Sequence, residues 1–181
     1  VSTRSLNLLL KDYHQTIERK KIFKDDKLFN KYELLTLDGT GQLCSQNINC
    51  EHCLTKTLAN GDVQFYHGQL LASITNIKAD YSLPLQFEPI QRNDTETSYT
   101  KNDCELNAGK RLICKLRQEF PKRRFCFLAD NLFAAQSIIN LIQERDWRFI
   151  ITAKPERNKE VFFMFEYLHE QRQSFDFIAK D

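Results

Sequence analysis

The chain has 181 residues, of which 41% are hydrophobic and 12% aromatic, enough for one substantial core and therefore for one domain. Its 26 basic and 24 acidic residues leave a net charge of +2, so overall charge does not indicate a nucleic-acid binder, and any such surface depends on local basic clusters. Only five glycines and four prolines are present, which excludes a low-complexity chain or a string of domains on flexible linkers.

The cysteine content predicts a reducing environment. Six cysteines at uneven spacing in a chain of this length do not form a disulfide scaffold. The sequence has neither a signal peptide nor an apolar run long enough to cross a bilayer, so we expect a cytoplasmic protein without a membrane partner. It begins at Val1 rather than at a methionine, which predicts a fragment of a longer protein.

Residues 1–31 are predicted to form an N-terminal amphipathic helical segment, followed by a core over residues 32–181. Apolar residues recur at helical spacing between residues 3 and 23, with charged residues between them. The apolar positions are Leu6, Leu9, Leu10, Tyr13 and Ile17. We expect this helix to pack on the core.

The core begins with an apolar run from Tyr32 to Leu37 that ends on Asp38. The run is short and is followed at once by Gly39 and Gly41, which favours a buried central strand over a helix. A carboxylate at a strand end, beside residues without a Cβ atom, suits metal-assisted phosphate chemistry. Asp-Gly is also a common turn pair, so this stretch alone does not decide between catalysis and a turn.

A polar, turn-rich stretch then holds Cys50 and Cys53, whose two-residue gap is typical of a zinc knuckle. The best later candidates to complete a structural zinc site with four ligands are His67 and Cys104. The alternative is that these are free thiols in a reduced protein.

Three strands and a loop follow the knuckle. Asn60-Gly61 lies between two strand-like runs, 54–58 and 63–74, and predicts a β-hairpin. A further short strand over residues 83–87 contains Pro84 and is closed by Pro89, so we expect it near an edge of the sheet. Residues 91–101 are polar and are predicted to form a loop.

The second half of the chain alternates helices and strands. Asn102 followed three residues later by Glu105 resembles a capping box and predicts a helix that runs to Phe120. The remaining predicted elements are a buried strand over 124–130 that ends on Asp130, a helix over 131–145, a strand over 147–154 and a strand over 175–178.

This order predicts an α/β fold: a mixed sheet of three antiparallel strands and then parallel strands, with helices on its faces. If Asp38 and Asp130 end adjacent parallel strands, both carboxylates emerge at the edge where ligands bind in open α/β sheets. Two like charges so close together are stable when they share a proton or a divalent cation.

Several motifs in this order resemble the catalytic domain of bacterial insertion-sequence transposases of the DDE class, over roughly residues 32 to 155. They are Leu37-Asp38-Gly39-Thr40-Gly41, the Cys50-x-x-Cys53 knuckle leading to Tyr66-His67-Gly68-Gln69, Pro84-Leu85 to Glu88-Pro89-Ile90, Asn102-Asp103-Cys104-Glu105 with Lys110-Arg111, and Ala129-Asp130-Asn131-Leu132 followed by Phe149-Ile150-Ile151.

The resemblance implies a ribonuclease H-like fold in which Asp38 and Asp130 are catalytic and help to hold two magnesium or manganese ions. It implies metal-dependent cleavage and strand transfer of DNA, with element ends and target as partners, and a homo-oligomer in the full-length protein. No stretch after Pro155 matches the helix that carries the third acid of such enzymes. We therefore expect the third acid to lie outside this chain. The core would then be truncated before that acid and be inactive alone.

Four basic residues are candidates for steering the DNA backbone: Lys110, Arg111, Lys154 and Arg157. Two other functions stay open on the sequence. One is a metal-dependent nuclease on the same fold, and the other is a non-catalytic α/β interaction module in which Asp38 and Asp130 are turn or capping residues.

Overall fold

The computed structural model, which describes residues 3–21, 27–76, 80–91 and 104–171, contains a six-stranded mixed sheet and four α-helices. The strands are β1 (Glu33–Ser45), β2 (Leu54–Thr57), β3 (Val63–Asn76), β4 (Tyr81–Ile90), β5 (Phe125–Ala129) and β6 (Arg148–Ile151). The helices are α1 (Thr3–Arg19), α2 (Glu105–Glu119), α3 (Gln136–Gln143) and α4 (Lys159–Glu170), with a 3₁₀ helix at Asn131–Phe133. None of the described helices is both long enough and apolar enough to span a membrane.

The sheet has the strand order β2-β3-β1-β5-β6, and β4 also pairs with β3. Strands β1 to β4 form its antiparallel part, whereas β1, β5 and β6 run parallel. The predicted mixed α/β class with helices on a sheet is confirmed. The antiparallel part has four strands instead of three, because β1, β2 and β4 all pair with β3. A specifically ribonuclease H-like fold stays a prediction.

Strand β1 is much longer than the sequence predicts, and Asp38 lies in its middle rather than at its end. The reason is its antiparallel partner. Strand β3 pairs with β1 from Leu35 to Ser45, which continues the strand through both glycines, although a register shift falls between Gln42 and Cys44. The prediction that β1 ends at Asp38 is therefore wrong, because an extended partner overrides the glycine signal.

The main core lies between the sheet and α2. Alternate residues of β1 face opposite sides of the sheet, so Leu35 joins this core, whereas Leu34 joins a small cluster with Tyr32 and Cys126. Trp147 is fully buried, and its Nε1 donates a hydrogen bond to the carbonyl of Arg123 at 3.1 Å.

Helix α1 covers the outer edge of β4. The Asn7 side chain donates to the carbonyl of Phe87 at 2.9 Å and accepts from its backbone N–H at 3.0 Å. His14 Nε2 lies 2.8 Å from the carbonyl oxygen of Pro84. The predictions that this helix packs on the core and that β4 lies at an edge are confirmed, and the covered edge is protected from pairing with other chains. The domain boundary between residues 31 and 32 stays a prediction.

Two predicted helical segments differ from the structure. Helix α2 begins at Glu105 with Cys104 as its N-cap, so the capping box is wrong, and Asn102 lies outside the described residues. The helix predicted over 131–145 is interrupted: a 3₁₀ helix at 131–133 precedes α3. The strand predicted over 175–178 lies outside the described residues, and so does the loop predicted over 91–101, except for residue 91.

Candidate active site

Asp38 lies on β1, and Asp130 directly follows the neighbouring strand β5. The parallel register of β1 and β5 runs from the pair Glu33 and Phe125 to the pair Thr36 and Leu128. Continued by two residues, it sets Asp38 opposite Asp130, one residue beyond the end of β5. Paired strands lie about 4.8 Å apart, and the pairing of β1 with β5 ends at Thr36 and Leu128, two residues before the aspartates.

Asp130 also performs the capping role that the sequence left open. Its Oδ1 accepts a hydrogen bond from the backbone N–H of Leu132 at 2.9 Å and so caps the 3₁₀ helix. A carboxylate has two oxygens and can bind a cation while one of them accepts this bond. The cap therefore orients the side chain at the edge of the sheet and is compatible with a ligand role.

A third carboxylate, which was not predicted from the sequence, lies beside these two. Helix α2 places Glu105 directly over Gly39: a Cβ atom added to that glycine would lie 2.5 Å from Glu105 Oε1 and 2.7 Å from its Cδ. Burial raises the pKa of Glu105, and the negative charges of Asp130 and Asp38 raise it further. We call Asp38, Glu105 and Asp130 the acid cluster.

A signal for Glu105 was present in the sequence but had two interpretations. Glu105 lies four residues before Gly109 and seven before Leu112, both on the buried face of α2. A carboxylate on the apolar stripe of a helix is unusual and indicates a partner or a function. The preceding Asn102 made the same residue look like part of a capping box, and that interpretation hid it.

Two depressions flank the acid cluster. One, of about 380 Å³, is lined by Gly39, Gly41, Tyr66, Gly68 and Glu105, among others. The second, of about 500 Å³, is lined by Asp130 together with Lys154 and Arg157. Leu132 borders both. Two of the four basic residues predicted to steer DNA thus lie beside one of the aspartates.

The other two basic residues are placed differently. Arg111 Nε donates to Glu88 Oε1 at 2.7 Å, and its Nη2 donates to the carbonyl of Pro89 at 3.1 Å. Glu88 is only 3% exposed and also accepts from Lys115 Nζ at 2.5 Å. Arg111 therefore balances a buried carboxylate. Lys110 is half-buried on the same helix and lines neither depression.

Three of the four predicted zinc ligands come together elsewhere on the sheet. Cys50, Cys53 and His67 each place a ligand atom within 4.8 Å of the other two. Within the described ranges this is the one group of three or more such side chains that is so tightly gathered. Cys104 is exposed, lines the depression beside Glu105 and is not a member of the group.

The ligand atoms of the acid cluster are carboxylate oxygens, which a hard divalent cation such as magnesium or manganese prefers. Burial raises the pKa of Glu105 and the nearby charges of Asp130 and Asp38 raise it further, and a bound cation would offset both effects. The absent Cβ at Gly39 supplies the space that the Glu105 carboxyl occupies. The residues present therefore fit a magnesium or manganese site held by Asp38, Glu105 and Asp130.

Comparisons with known proteins identify no family for this chain. No protein-family model matches the sequence, and no curated protein matches it. Among solved structures, the chain is similar to a piggyBac transposase in a synaptic complex with hairpin DNA, with a TM-score of 0.45 and 14% sequence identity. The similarity covers 74% of this chain and 26% of that one, so the chain spans about a quarter of the length of the protein it matches.

Proposed function

We propose that the chain is the catalytic core of a DDE-class DNA transposase of the insertion-sequence type, with a ribonuclease H-like fold. The observation that carries the proposal is the acid cluster: Asp38 lies opposite Asp130 in the continued register of β1 and β5, and Glu105 lies against Gly39 between the sheet and α2. Carboxylates gathered from a strand, a helix and a loop at one edge of a mixed sheet suit metal-dependent phosphodiester chemistry.

When bound, two magnesium or manganese ions supply Lewis-acid stabilisation of the charge that develops on the scissile phosphodiester and lower the pKa of the attacking water or 3′-hydroxyl. Asp38 would hold them from β1, Asp130 from the position that follows β5, and Glu105 would complete the set from α2. The cap bond from Leu132 to Asp130 fixes one carboxylate in place, which contributes positioning.

Glu105 changes the expectation about the third acid. The sequence alone predicts that residue outside the chain, because no acid after Pro155 has a matching motif. Glu105 supplies a third carboxylate within the described part of the chain, so the core proposed here holds three acids. Catalysis by the chain alone would still require DNA binding and assembly into a homo-oligomer. We propose both of these for the full-length protein.

The DNA partner is supported by the side chains beside the acid cluster. Lys154 and Arg157 line the same depression as Asp130 and can neutralise the phosphates on either side of the scissile bond. Because backbone contacts of this kind release counterions, we expect binding to weaken steeply as salt is raised.

The test of metal binding uses the chain itself. Manganese titration by calorimetry should detect binding to the wild type, weakened in Asp38→Asn and in Glu105→Gln. Asp146→Asn is the matched control, since Asp146 precedes β6 at the opposite edge of the sheet and should leave binding unchanged. Absence of manganese binding by the wild type, or equal binding by all variants, contradicts the proposal.

The test of the reaction uses the full-length gene product. With magnesium or manganese, we expect cleavage at the element ends and joining of the freed 3′-hydroxyl to target DNA. Cleavage without joining would identify the nuclease alternative. If the protein neither cleaves nor joins DNA and the acid cluster binds no metal, the non-catalytic interaction module is the remaining alternative.

A further inference from the structure

We propose that Cys50, Cys53 and His67 form a zinc site that holds the β1–β2 connection against β3. Cys50 and Cys53 lie in the connection that precedes β2, and His67 lies on β3, opposite Gln42 of β1. The site is separate from the acid cluster and consists of soft donors, sulfur and imidazole nitrogen, which zinc prefers to carboxylates. This inference is independent of the proposed function.

The distances between the donor atoms match those of a tetrahedral zinc site. The two sulfurs are 3.5 Å apart, and His67 Nε2 lies 3.3 Å from Cys50 Sγ and 3.4 Å from Cys53 Sγ. Zinc bonds to sulfur and nitrogen imply separations of about 3.8 Å between sulfurs and about 3.6 Å between sulfur and nitrogen. An expansion of a few tenths of an ångström would therefore admit the ion.

The backbone between the two cysteines prepares the sulfurs for a metal. The N–H of Cys53 donates to the carbonyl of Cys50 at 3.1 Å, which closes a tight turn, and the N–H of Cys50 donates to Cys53 Sγ at 3.2 Å. The turn thus fixes two ligands before any ion arrives.

Burial in the trio differs from one ligand to the next. Cys53 is 4% exposed, His67 is half-buried and Cys50 is exposed, so zinc can enter from the Cys50 side. At 3.5 Å the two sulfurs are not joined by a disulfide, whose bond length is about 2.05 Å. A water or one further side chain would complete the tetrahedron; Cys104, the fourth ligand predicted from the sequence, is not gathered with these three.

The position of the site suggests what zinc does. Leu54 follows Cys53 at once, and Tyr66 and Gly68 flank His67; all three line the depression beside Glu105. Zinc would fix this wall by linking the two segments that form it. The proposed zinc site would therefore be structural and would hold one side of this depression in place.

The direct test measures zinc in protein purified under reducing conditions without added metal or chelator. We expect about one zinc per chain, lost in Cys50→Ser, whose side chain is exposed, and in His67→Asn. Cys114→Ser is the control: Cys114 Sγ accepts a bond from Arg145 at 3.3 Å, which a hydroxyl can replace, and zinc should be retained. A wild type that binds no zinc even when zinc is added, or holds a Cys50–Cys53 disulfide instead, overturns the proposal.

A second measurement avoids variants that fail to fold. Removing zinc from the wild type with a chelator should lower the melting temperature by roughly 5–10 °C, and added zinc should restore it. Cobalt in its place should give the visible absorption of a tetrahedral site with two thiolates, weaker in Cys50→Ser. Unchanged melting after chelation, or a cobalt spectrum without sulfur bands, overturns the proposal.

Discussion

The acid cluster and the trio of Cys50, Cys53 and His67 are both sets of candidate metal ligands on the same sheet, but they are assembled differently. In the trio, two ligands belong to one turn, and all three atoms already lie within 4.8 Å of one another. The acid cluster combines residues 38, 105 and 130, and in the part of the chain that the structure describes it is not gathered so tightly.

The two sites differ in how the backbone holds their ligands. In the trio, a tight turn joins Cys50 and Cys53, and His67 lies on β3. In the acid cluster, burial raises the pKa of Glu105, and the like charges of Asp130 and Asp38 raise it further. A cation bound by these three carboxylates would offset the repulsion between them.

The largest expected effect is on catalysis by the full-length protein. Asp38→Asn or Asp130→Asn should lower DNA cleavage at least about a hundredfold, because each removes a charged ligand from the acid cluster. Asparagine preserves shape and, at position 130, can still accept the cap bond, so the melting temperature should change little. Cleavage within twofold of wild type in either variant would remove the acid cluster from the mechanism.

The next largest effect isolates Glu105. Gly39→Ala should lower manganese affinity by about tenfold, because the new Cβ would lie 2.5 Å from Glu105 Oε1 and displace this carboxyl. Gly41→Ala is the matched control on the same strand, since the nearest atom to its new Cβ would be the carbonyl oxygen of His67 at 4.0 Å. Equal affinities in the two variants, measured by calorimetry, would show that Glu105 is not a ligand.

Arg111 tests whether a basic residue of α2 stabilises the fold or binds DNA. Arg111→Ala should lower the free energy of unfolding by about 1–3 kcal/mol, because the buried Glu88 loses one of its two cationic partners. Lys110→Ala, one residue earlier, should change it by no more than about 0.5 kcal/mol. Urea denaturation measures both. A loss of DNA affinity in Arg111→Ala with unchanged stability would restore its predicted role in DNA binding.

A smaller effect is expected from the basic residues beside Asp130. Replacing both Lys154 and Arg157 with Gln should weaken DNA binding and flatten its dependence on salt, by about 0.9 in the log–log slope for each phosphate that the protein no longer neutralises. Arg148→Gln, at the start of β6 and paired with Asp146, is the control and should leave the slope unchanged. Binding measured by fluorescence anisotropy over a salt series gives the slope, and a slope that the double variant shares with wild type contradicts the proposed role of these two side chains.

The smallest expected effect is on the pH dependence of stability, and it involves His14, which belongs to neither metal site. Burial lowers the pKa of His14 below its usual 6.5, so the unfolded chain takes up a proton there that the folded chain does not. Stability at this residue is therefore complete above pH 6.5 and declines as the pH falls towards the lowered pKa. Urea midpoints at several pH values should decline less steeply in His14→Gln, and an identical decline in both proteins would assign the effect to other groups.

The sequence predicted the features that depend on neighbouring residues. The hairpin at Asn60-Gly61 and the strand before Asp130 follow from short patterns, and the structure has both. Cys50 and Cys53 could be paired by their spacing alone. His67 could be predicted as a third ligand because it lies on the second strand of the hairpin, which runs back alongside the first.

Features that depend on tertiary partners could not be predicted in the same way. The length of β1 is set by its pairing with β3, which no local pattern of β1 reveals. Glu105 belongs to the acid cluster only because α2 crosses Gly39, and Arg111 has a structural role because Glu88 is buried beneath it. Each depends on a contact between residues that are distant in sequence.

The most direct measurement is a crystal structure of the chain grown with manganese, located by its anomalous scattering. We predict manganese coordinated jointly by Asp38 and Asp130, with the Glu105 carboxyl drawn towards it. Crystals saturated with manganese in which these three side chains bind no ion, or in which their oxygens are turned away from one another, would contradict the account.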